Sequence, residues 1–365
     1  MIRLDDNADA PVLKAAWQAY RQAARTLGNP RSPHAAGAHA REALDQARAR
    51  VAQQLGARPE EIVFTSGGTE ADALALHGVL AGHTGAHAIT SGLEHPAVRD
   101  TLEGLARAGR IELTTLTPTR TGLISAAQVE AALTDRTVLV SIVLACNETG
   151  VIQPLGEIAR VCRPRGILCH CDAVQAASRI FVNVQTLGVD LLSVSGHKLG
   201  AVAGIGALYV RTGITLKPVY PVRTESLAGA MSLAVALEAG PSREERAGLA
   251  HLRDHLEAGL ADRAGPVEIL GRGAPRLANT TCVRFEGLDA DGLMMALDLS
   301  GIATSTGSAC STGAIEPSPI LLSMGLSAAE ARCALRFSLA RGVRDDQIEH
   351  VITTATQLVH KMQAG

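Results

Sequence analysis

Aromatic residues are scarce in this chain, with Phe, Trp and Tyr together making up 2% of 365 residues. A surface that binds nucleic acid usually combines stacking platforms with a basic excess. Neither is present: 34 Lys plus Arg stand against 36 Asp plus Glu, a formal charge of −2. Direct nucleic-acid binding is therefore not expected. Also missing is any run approaching the roughly 20 apolar residues of a membrane span, and the mean hydropathy of +0.15 comes largely from Ala, Leu and Val. The opening Met-Ile-Arg-Leu-Asp-Asp-Asn-Ala-Asp is too charged and too short in apolar length for a secretory signal. Without such a signal, seven cysteines in a chain of this length are no disulfide framework. Internal repeats and low-complexity linkers are absent too. A cytoplasmic protein that is not embedded in a membrane is the simplest expectation.

The chain has the length for two domains, or for one large and one small. Residues 11–27 read as a helix, with Pro11 near the start and Gly28 at the end, and Ala38 to Leu55 read as a second, closed by Gly56. From Glu61 onward, apolar strand patterns (61–65, 86–90, 111–116, 137–144, 167–170, 190–194 and 206–210) alternate with helical ones (through Leu80, then 96–108, 125–133 and 155–162). Strands that are apolar throughout, with helices between them, predict an α/β fold with a mainly parallel sheet covered on both faces. Ligands bind such sheets at the carboxyl ends of the strands. After Tyr220 the pattern changes to long helices (226–238 and 242–264) followed by separated strands (267–270, 280–285 and 334–338) and helices (290–299, 319–324 and 345–362). This predicts a smaller α+β domain. We place the large domain at residues 11–250 and build the small one from 1–10 plus 251–365.

Several residues are placed for chemistry. The run Leu191, Leu192 and Val194 delivers Lys198 into Ser195-Gly196-His197-Lys198. A lysine at the junction of a buried strand and a polar loop can lose hydration and fall in pKa, as a Schiff-base amine requires, although a surface lysine would read the same way. Gly67-Gly68-Thr69, between a strand and a helix, offers backbone N–H groups, a helix dipole and a hydroxyl to a phosphate. It matches neither the P-loop spacing nor Gly-x-Gly-x-x-Gly, and a plain glycine-rich turn is the competing reading. Asp172 ends a strand, where it could meet a heterocyclic nitrogen, with Gln175 one helical turn on. Cys162, Cys169, His170 and Cys171 crowd the same region, but neighbours in a strand point to opposite faces and the spacing is not Cys-x-x-Cys, so no metal is expected. Cys310 differs from the other cysteines in lying among small polar residues and glycines, Gly307-Ser308-Ala309-Cys310-Ser311-Thr312-Gly313, the composition of an exposed loop where a thiol can ionise. Arg336, inside a strand pattern, is either paired structurally or presented to a carboxylate.

In this order, these segments resemble the cysteine desulfurases of the NifS/IscS group, fold-type I pyridoxal-phosphate enzymes of the class-V aminotransferase family. The resemblance runs through Leu4-Asp5 with Asn7-Ala8, Gly28-Asn29-Pro30, Phe64 to Ala71, Glu94-His95, Asn147-Glu148-Thr149-Gly150, Asp172-Ala173-Val174-Gln175, Ser195 to Lys198, Gly307 to Cys310 and Arg336 to Leu339. It implies a large domain with a mainly parallel seven-stranded sheet, and pyridoxal 5'-phosphate held by Lys198. It also implies that His95 stacks on the ring and moves protons, and that Asp172 pairs with the ring nitrogen. Gln175 and Asn147 would address the phenolic oxygen and the substrate side, while Gly68, Thr69, Ser195 and His197 bind the phosphate. Thr224 would reach the phosphate of a neighbouring subunit, which implies a homodimer. Arg336, with Asn7 and Asn147 nearby, would bind the substrate carboxylate, and L-cysteine would leave as L-alanine with its sulfur on Cys310 as a persulfide. The stretch from Cys310 to Arg336 resembles the longer-loop members, which implies transfer to a separate sulfur-acceptor protein. Iron–sulfur cluster biogenesis is one of several routes such a transfer could feed.

The chain departs from the family pattern in three places. Tyr220-Pro221-Val222-Arg223-Thr224-Glu225 stands where a glycine-rich segment with a further arginine is usual, so roughly one short loop is missing. Leu199 to Gly204 lacks the usual Pro-Lys-Gly, and Cys146 replaces the first asparagine of Asn-Asn-Glu, where it is expected to fill space. The missing loop keeps two alternatives in view: a related lyase acting on selenocysteine or another β-substituted amino acid, and a sulfur-carrier or scaffold partner with little turnover.

Overall fold

The computed structural model describes residues 1–177, 179–217, 224–307 and 316–364. In chain order its strands are β1 (Ile2–Arg3), β2 (Ile62–Thr65), β3 (Ala86–Ser91), β4 (Ile111–Leu116), β5 (Thr137–Val143), β6 (Leu168–Asp172), β7 (Leu191–Ser195), β8 (Gly206–Val210), β9 (Val267–Leu270), β10 (Thr280–Phe285), β11 (Ile302–Ala303), β12 (Ser305–Thr306) and β13 (Ala334–Ser338). Seven of them form one sheet in the order β2-β8-β7-β6-β5-β3-β4. The pairs from β4 through β3, β5 and β6 to β7 are parallel, whereas β8 runs antiparallel to both β7 and β2. An antiparallel neighbour can be reached by a loop alone, without a crossover helix. The connection from β7 to β8 therefore stays at the carboxyl edge of the sheet, and it is the segment that carries His197 and Lys198.

The sheet is covered on both faces, as the continuous apolar runs predict. Along β5, Leu139 joins one core with Leu76, Val98, Leu102 and Leu208, while Val140 and Ile142 join the opposite core with Phe64, Ile89 and Val194. Each such aliphatic side chain contributes roughly 1.5–3 kcal/mol through burial. The covering helices include α1 (Lys14–Ala23), α2 (Ala35–Leu55), α3 (Gly68–Leu80) and α4 (Pro96–Arg107). The first of these is shorter than the 11–27 expected. Leu13 is extended, and its N–H donates to the Gly200 carbonyl at 2.8 Å, while Ala10 N–H donates to His197 O at 3.0 Å. Residues 10–13 are thus committed to holding the loop around Lys198 and cannot begin a helix.

A second sheet has the antiparallel order β12-β13-β10-β9. Its core joins Val283, Phe285, Leu335 and Phe337 to Leu256 and Leu260 of the Arg243–Arg263 helix and to Ile348, Val351 and Ile352 of the Asp345–Ala364 helix. Leu4 belongs to this core as well, because β1 lies parallel to β11 and Asp5 bridges to Ser338 beside β13. The N-terminal segment then crosses from the second sheet to the first at Asn7 and Ala8. The two-residue strands β1, β11 and β12 were not expected, since two residues are too few to display a period. Among the described residues no helix is long and apolar enough to cross a membrane, and no group of three or more His, Cys, Asp or Glu is arranged to hold a metal ion.

Candidate active site

Because β2, β3, β5, β6 and β7 point the same way, the turns leaving their carboxyl ends converge. They open a cleft of ≈ 560 Å³, closed on the far side by Arg336 of β13 and by Ser305, Thr306 and Gly307. One end is suited to a phosphate. Ser66-Gly67-Gly68-Thr69 leads into α3, so the first N–H groups of that helix face the cleft with the positive end of its dipole. Gly68 is required by close approach: a Cβ there would stand 2.6 Å from Val174 Cγ2 and 3.2 Å from Ser195 Cβ. Ser195 Oγ lies 3.0 Å from His197 Nδ1, and both residues line the same end of the cleft. Burial and the neighbouring Lys198 lower the His197 pKa.

The floor is a cluster of buried carboxyls. Asp172, the last residue of β6, accepts a hydrogen bond from Val174 N–H at 2.9 Å, yet burial pushes its pKa up to about 6. Behind it, burial together with the Asp172 charge raises Asp72, and burial raises Glu94 to about 8 against the bonds it accepts from Ser91 Oγ–H (2.5 Å) and Val143 N–H (3.0 Å). His170, next to Asp72, supplies no balancing charge, since burial drives its pKa down to about 3. A buried carboxylate of this kind is stabilised by a cation at close range. A protonated ring nitrogen at Asp172 would supply one, and the arrangement fits pyridoxal phosphate on that ground. His95 caps α4: its Nδ1 accepts from Ala97 N–H at 3.1 Å, so the neutral ring carries its proton on Nε2. Burial and Lys198 push its pKa below the ordinary histidine value.

Lys198 donates from Nζ to the backbone carbonyls of Asn7 (2.8 Å) and Ala8 (2.5 Å). Burial first, then the charges of Arg336 and Arg179, bring its pKa down to about 8, as anticipated for an amine at a strand end. Gln175 donates to the same Asn7 carbonyl at 3.0 Å, and its own carbonyl accepts from Arg179. Asn7 faces Lys198 with its backbone only. Its side chain is turned toward the second sheet, donating to Thr280 Oγ1 and to Asn147 O (3.0 Å each) and accepting from Asn279 Nδ2 (3.2 Å). Arg336 donates to Asn147 O at 3.1 Å and to Asp5 Oδ1 at 2.7 Å, and its Nε is buried without a partner.

The structure thus brings together Gly68, Thr69, His95, Asn147, Asp172, Gln175, Ser195, His197, Lys198, Asn7 and Arg336 around one cleft. Thr224 is exposed and is not among the residues lining it. Cys310 lies outside the described residues, as do residues 218–223, where the short loop is missing. Sequence reasoning gave no role to Asp5, Asp72, Arg179 or Glu148. Asp5 and Glu148 sit inside the quoted motifs, but their partners Arg336 and Ser318 lie far off in sequence, beyond what sequence neighbours reveal.

A lysine amine at a loop between antiparallel strands, a buried aspartate at a strand's carboxyl end and a helix N-terminus, all on one cleft, are the arrangement expected of a pyridoxal-phosphate enzyme of fold type I. Comparison with known proteins agrees. The family model described as "Aminotransferase class-V" matches residues 2–223 and 221–351. A cysteine desulfurase of Trichormus azollae is 37% identical over 382 aligned residues, spanning 100% of this chain and 94% of the relative. A cysteine desulfurase IscS of Dictyoglomus turgidum is 34% identical over 376, spanning 99% and 95%. Among solved structures, a NifS-like protein superposes with a TM-score of 0.90 at 28% identity, covering 98% of this chain and 99% of the other. SspA in complex with cysteine gives 0.84 at 32%, covering 93% and 99%. The chain belongs to the class-V aminotransferase family, on its cysteine desulfurase branch, and its cofactor is pyridoxal 5'-phosphate.

Proposed function

We propose that this chain converts L-cysteine to L-alanine and leaves the sulfur as a persulfide on Cys310. The observation that carries the reading is the convergence of Lys198, Asp172, His95 and Arg336 on one cleft, in a chain 37% identical to a protein named cysteine desulfurase. When bound, pyridoxal phosphate supplies the electron sink that makes the substrate's Cα proton labile. Lys198 would hold the cofactor between turnovers and, when free, move that proton. Asp172 would pair with a protonated ring nitrogen, His95 would lie against the ring, and Arg336 would receive the substrate carboxylate. The Cys310 thiolate then attacks the substrate sulfur. The S–S bond forms as the C–S bond breaks, and the electron pair stays with the substrate carbon, which is protonated to alanine. L-cysteine and a thiol become L-alanine and a persulfide, with no outside oxidant.

Around this core we place a homodimer in which Thr224 reaches the partner's phosphate, a cytoplasmic location, and delivery of sulfur to an acceptor protein, iron–sulfur cluster assembly among the routes. The same reading divides the chain into a large domain at 11–250 and a small one at 1–10 plus 251–365, supported by the place of Leu4 in the second core. No observation favours the lyase or scaffold alternatives. The test is alanine formed from L-cysteine by the cofactor-loaded protein. Cys310→Ala should slow it by at least ~100-fold, the scale of losing a covalent nucleophile. Alanine at an undiminished rate from that variant would sink the persulfide step.

A further inference from the structure

Glu148 is buried at 2% exposure and is not among the residues lining the cleft, yet both ends of the chain that flank residues 308–315 rest on it. On one side Ser318 Oγ lies 2.8 Å from Oε1 and 2.7 Å from Oε2, so its hydroxyl proton is shared across the carboxylate. The same Ser318 oxygen accepts from Leu321 N–H at 3.3 Å and starts the Pro319–Ser323 helix. On the other side Gly307 packs so closely that a Cβ would collide with the Glu148 carboxylate. The residue before it is equally committed, because Asn147 O accepts from both Arg336 and Asn7. One short turn after β5 therefore ties the guanidinium that faces the cleft to both flanks of the segment holding Cys310.

We infer that Glu148 is a positioning residue for the sulfur-transfer step, fastening Gly307 and Ser318 to the Arg336 side of the cleft so that Cys310 is delivered to the substrate sulfur. The inference rests on the persulfide reading above. A tethered group reacts at an effective concentration set by where its tether begins and ends. Misplacing a reacting atom by about 1 Å costs on the order of 100-fold. Fixing both ends on one buried carboxylate is the simplest means of meeting that tolerance, and the bond from Arg336 to the neighbouring Asn147 carbonyl couples it to the substrate's own anchor.

The test uses cofactor-loaded wild type, Glu148→Ala, Glu148→Gln and Gly307→Ala. Alkylation of Cys310 by iodoacetamide is followed by peptide mass spectrometry, beside alanine formation and KM for L-cysteine. Glu148→Ala should lower kcat about 10- to 100-fold with KM within threefold, and should shift the Cys310 alkylation rate at least fivefold. Gly307→Ala, which strikes the same contact from the other side, should shift alkylation likewise. Glu148→Gln, which keeps one acceptor oxygen for Ser318, should return both readouts to within threefold of wild type. Unchanged Cys310 alkylation in Glu148→Ala and Gly307→Ala overturns the inference, and so does a loss confined to KM, which would make Glu148 a support for Arg336 alone. If Glu148→Ala does not fold, Gly307→Ala decides by the same criterion. Absence of alanine from wild type would instead defeat the functional reading, and alkylation would still report on the positioning.

Discussion

The floor of the cleft and its rim are held by different means. On the floor, Asp172, Ser195 and the turns carrying His95 and Lys198 follow directly from strands of one ladder, so backbone pairing between β3, β5, β6 and β7 sets their spacing. At the rim, Arg336, Asp5, Asn7 and Glu148 come from two sheets and the N-terminal segment. A handful of side-chain contacts holds them, including Arg336 to Asp5 across 331 residues. Substitutions on the floor should therefore remove chemistry while leaving geometry, whereas substitutions at the rim should change binding and placement in a coupled way.

The sharpest test of that contrast is Asp172→Asn. The amide keeps its acceptor for Val174 N–H but cannot balance a ring cation, so kcat/KM should fall by about 10²- to 10³-fold, or roughly 3–4 kcal/mol of transition-state stabilisation, with folding intact. A fall of less than threefold would mean that the buried carboxyl is not what holds the ring nitrogen. At the rim, Arg336→Ala should act on KM, raising it about 10- to 100-fold, since the lost charge-assisted bonds are made in ground and transition states alike. Asp5→Asn should do less and with opposite sign. It retains an acceptor for Nη2 while removing a negative charge beside the incoming carboxylate, and KM should drop about two- to threefold at this partly exposed site. A rise in KM would show that Asp5 serves mainly to orient the guanidinium.

The floor was also the more legible part in the sequence. Apolar strands ending in Asp172, Ser195 and Lys198 announce a parallel sheet and its carboxyl edge, because period and strand termination are local properties. Every strand of the large sheet lies within a few residues of its expected position. The rim was legible only as residues, not as contacts. Arg336 stood out as an arginine in a strand, but its pairing with Asp5 depends on β1 settling beside β11, a strand of two residues with no readable pattern. Asn7 was expected near the substrate carboxylate, beside Arg336. The structure turns the Asn7 amide toward Thr280 and Asn279 and leaves only the carbonyl to Lys198, a choice made by tertiary packing.

The floor carries one more consequence, and it concerns stability. Glu94 has a folded-state pKa raised to about 8 from 4.5, with burial as the leading cause, the Asp172 charge adding to it and the Ser91 and Val143 bonds opposing. A group whose pKa is raised on folding binds its proton more tightly in the native state, so its contribution is complete below the unfolded value and is lost as pH climbs through the folded one. Between about pH 4.5 and 8 the protein should lose stability that Glu94→Gln, neutral at every pH and retaining the carbonyl acceptor, does not lose. The melting temperature of wild type relative to the variant should fall by roughly 2–6 °C from pH 5 to pH 8.5. Parallel curves would place the Glu94 proton elsewhere in the carboxyl cluster, with Asp72 as the next candidate, because it too is buried and raised.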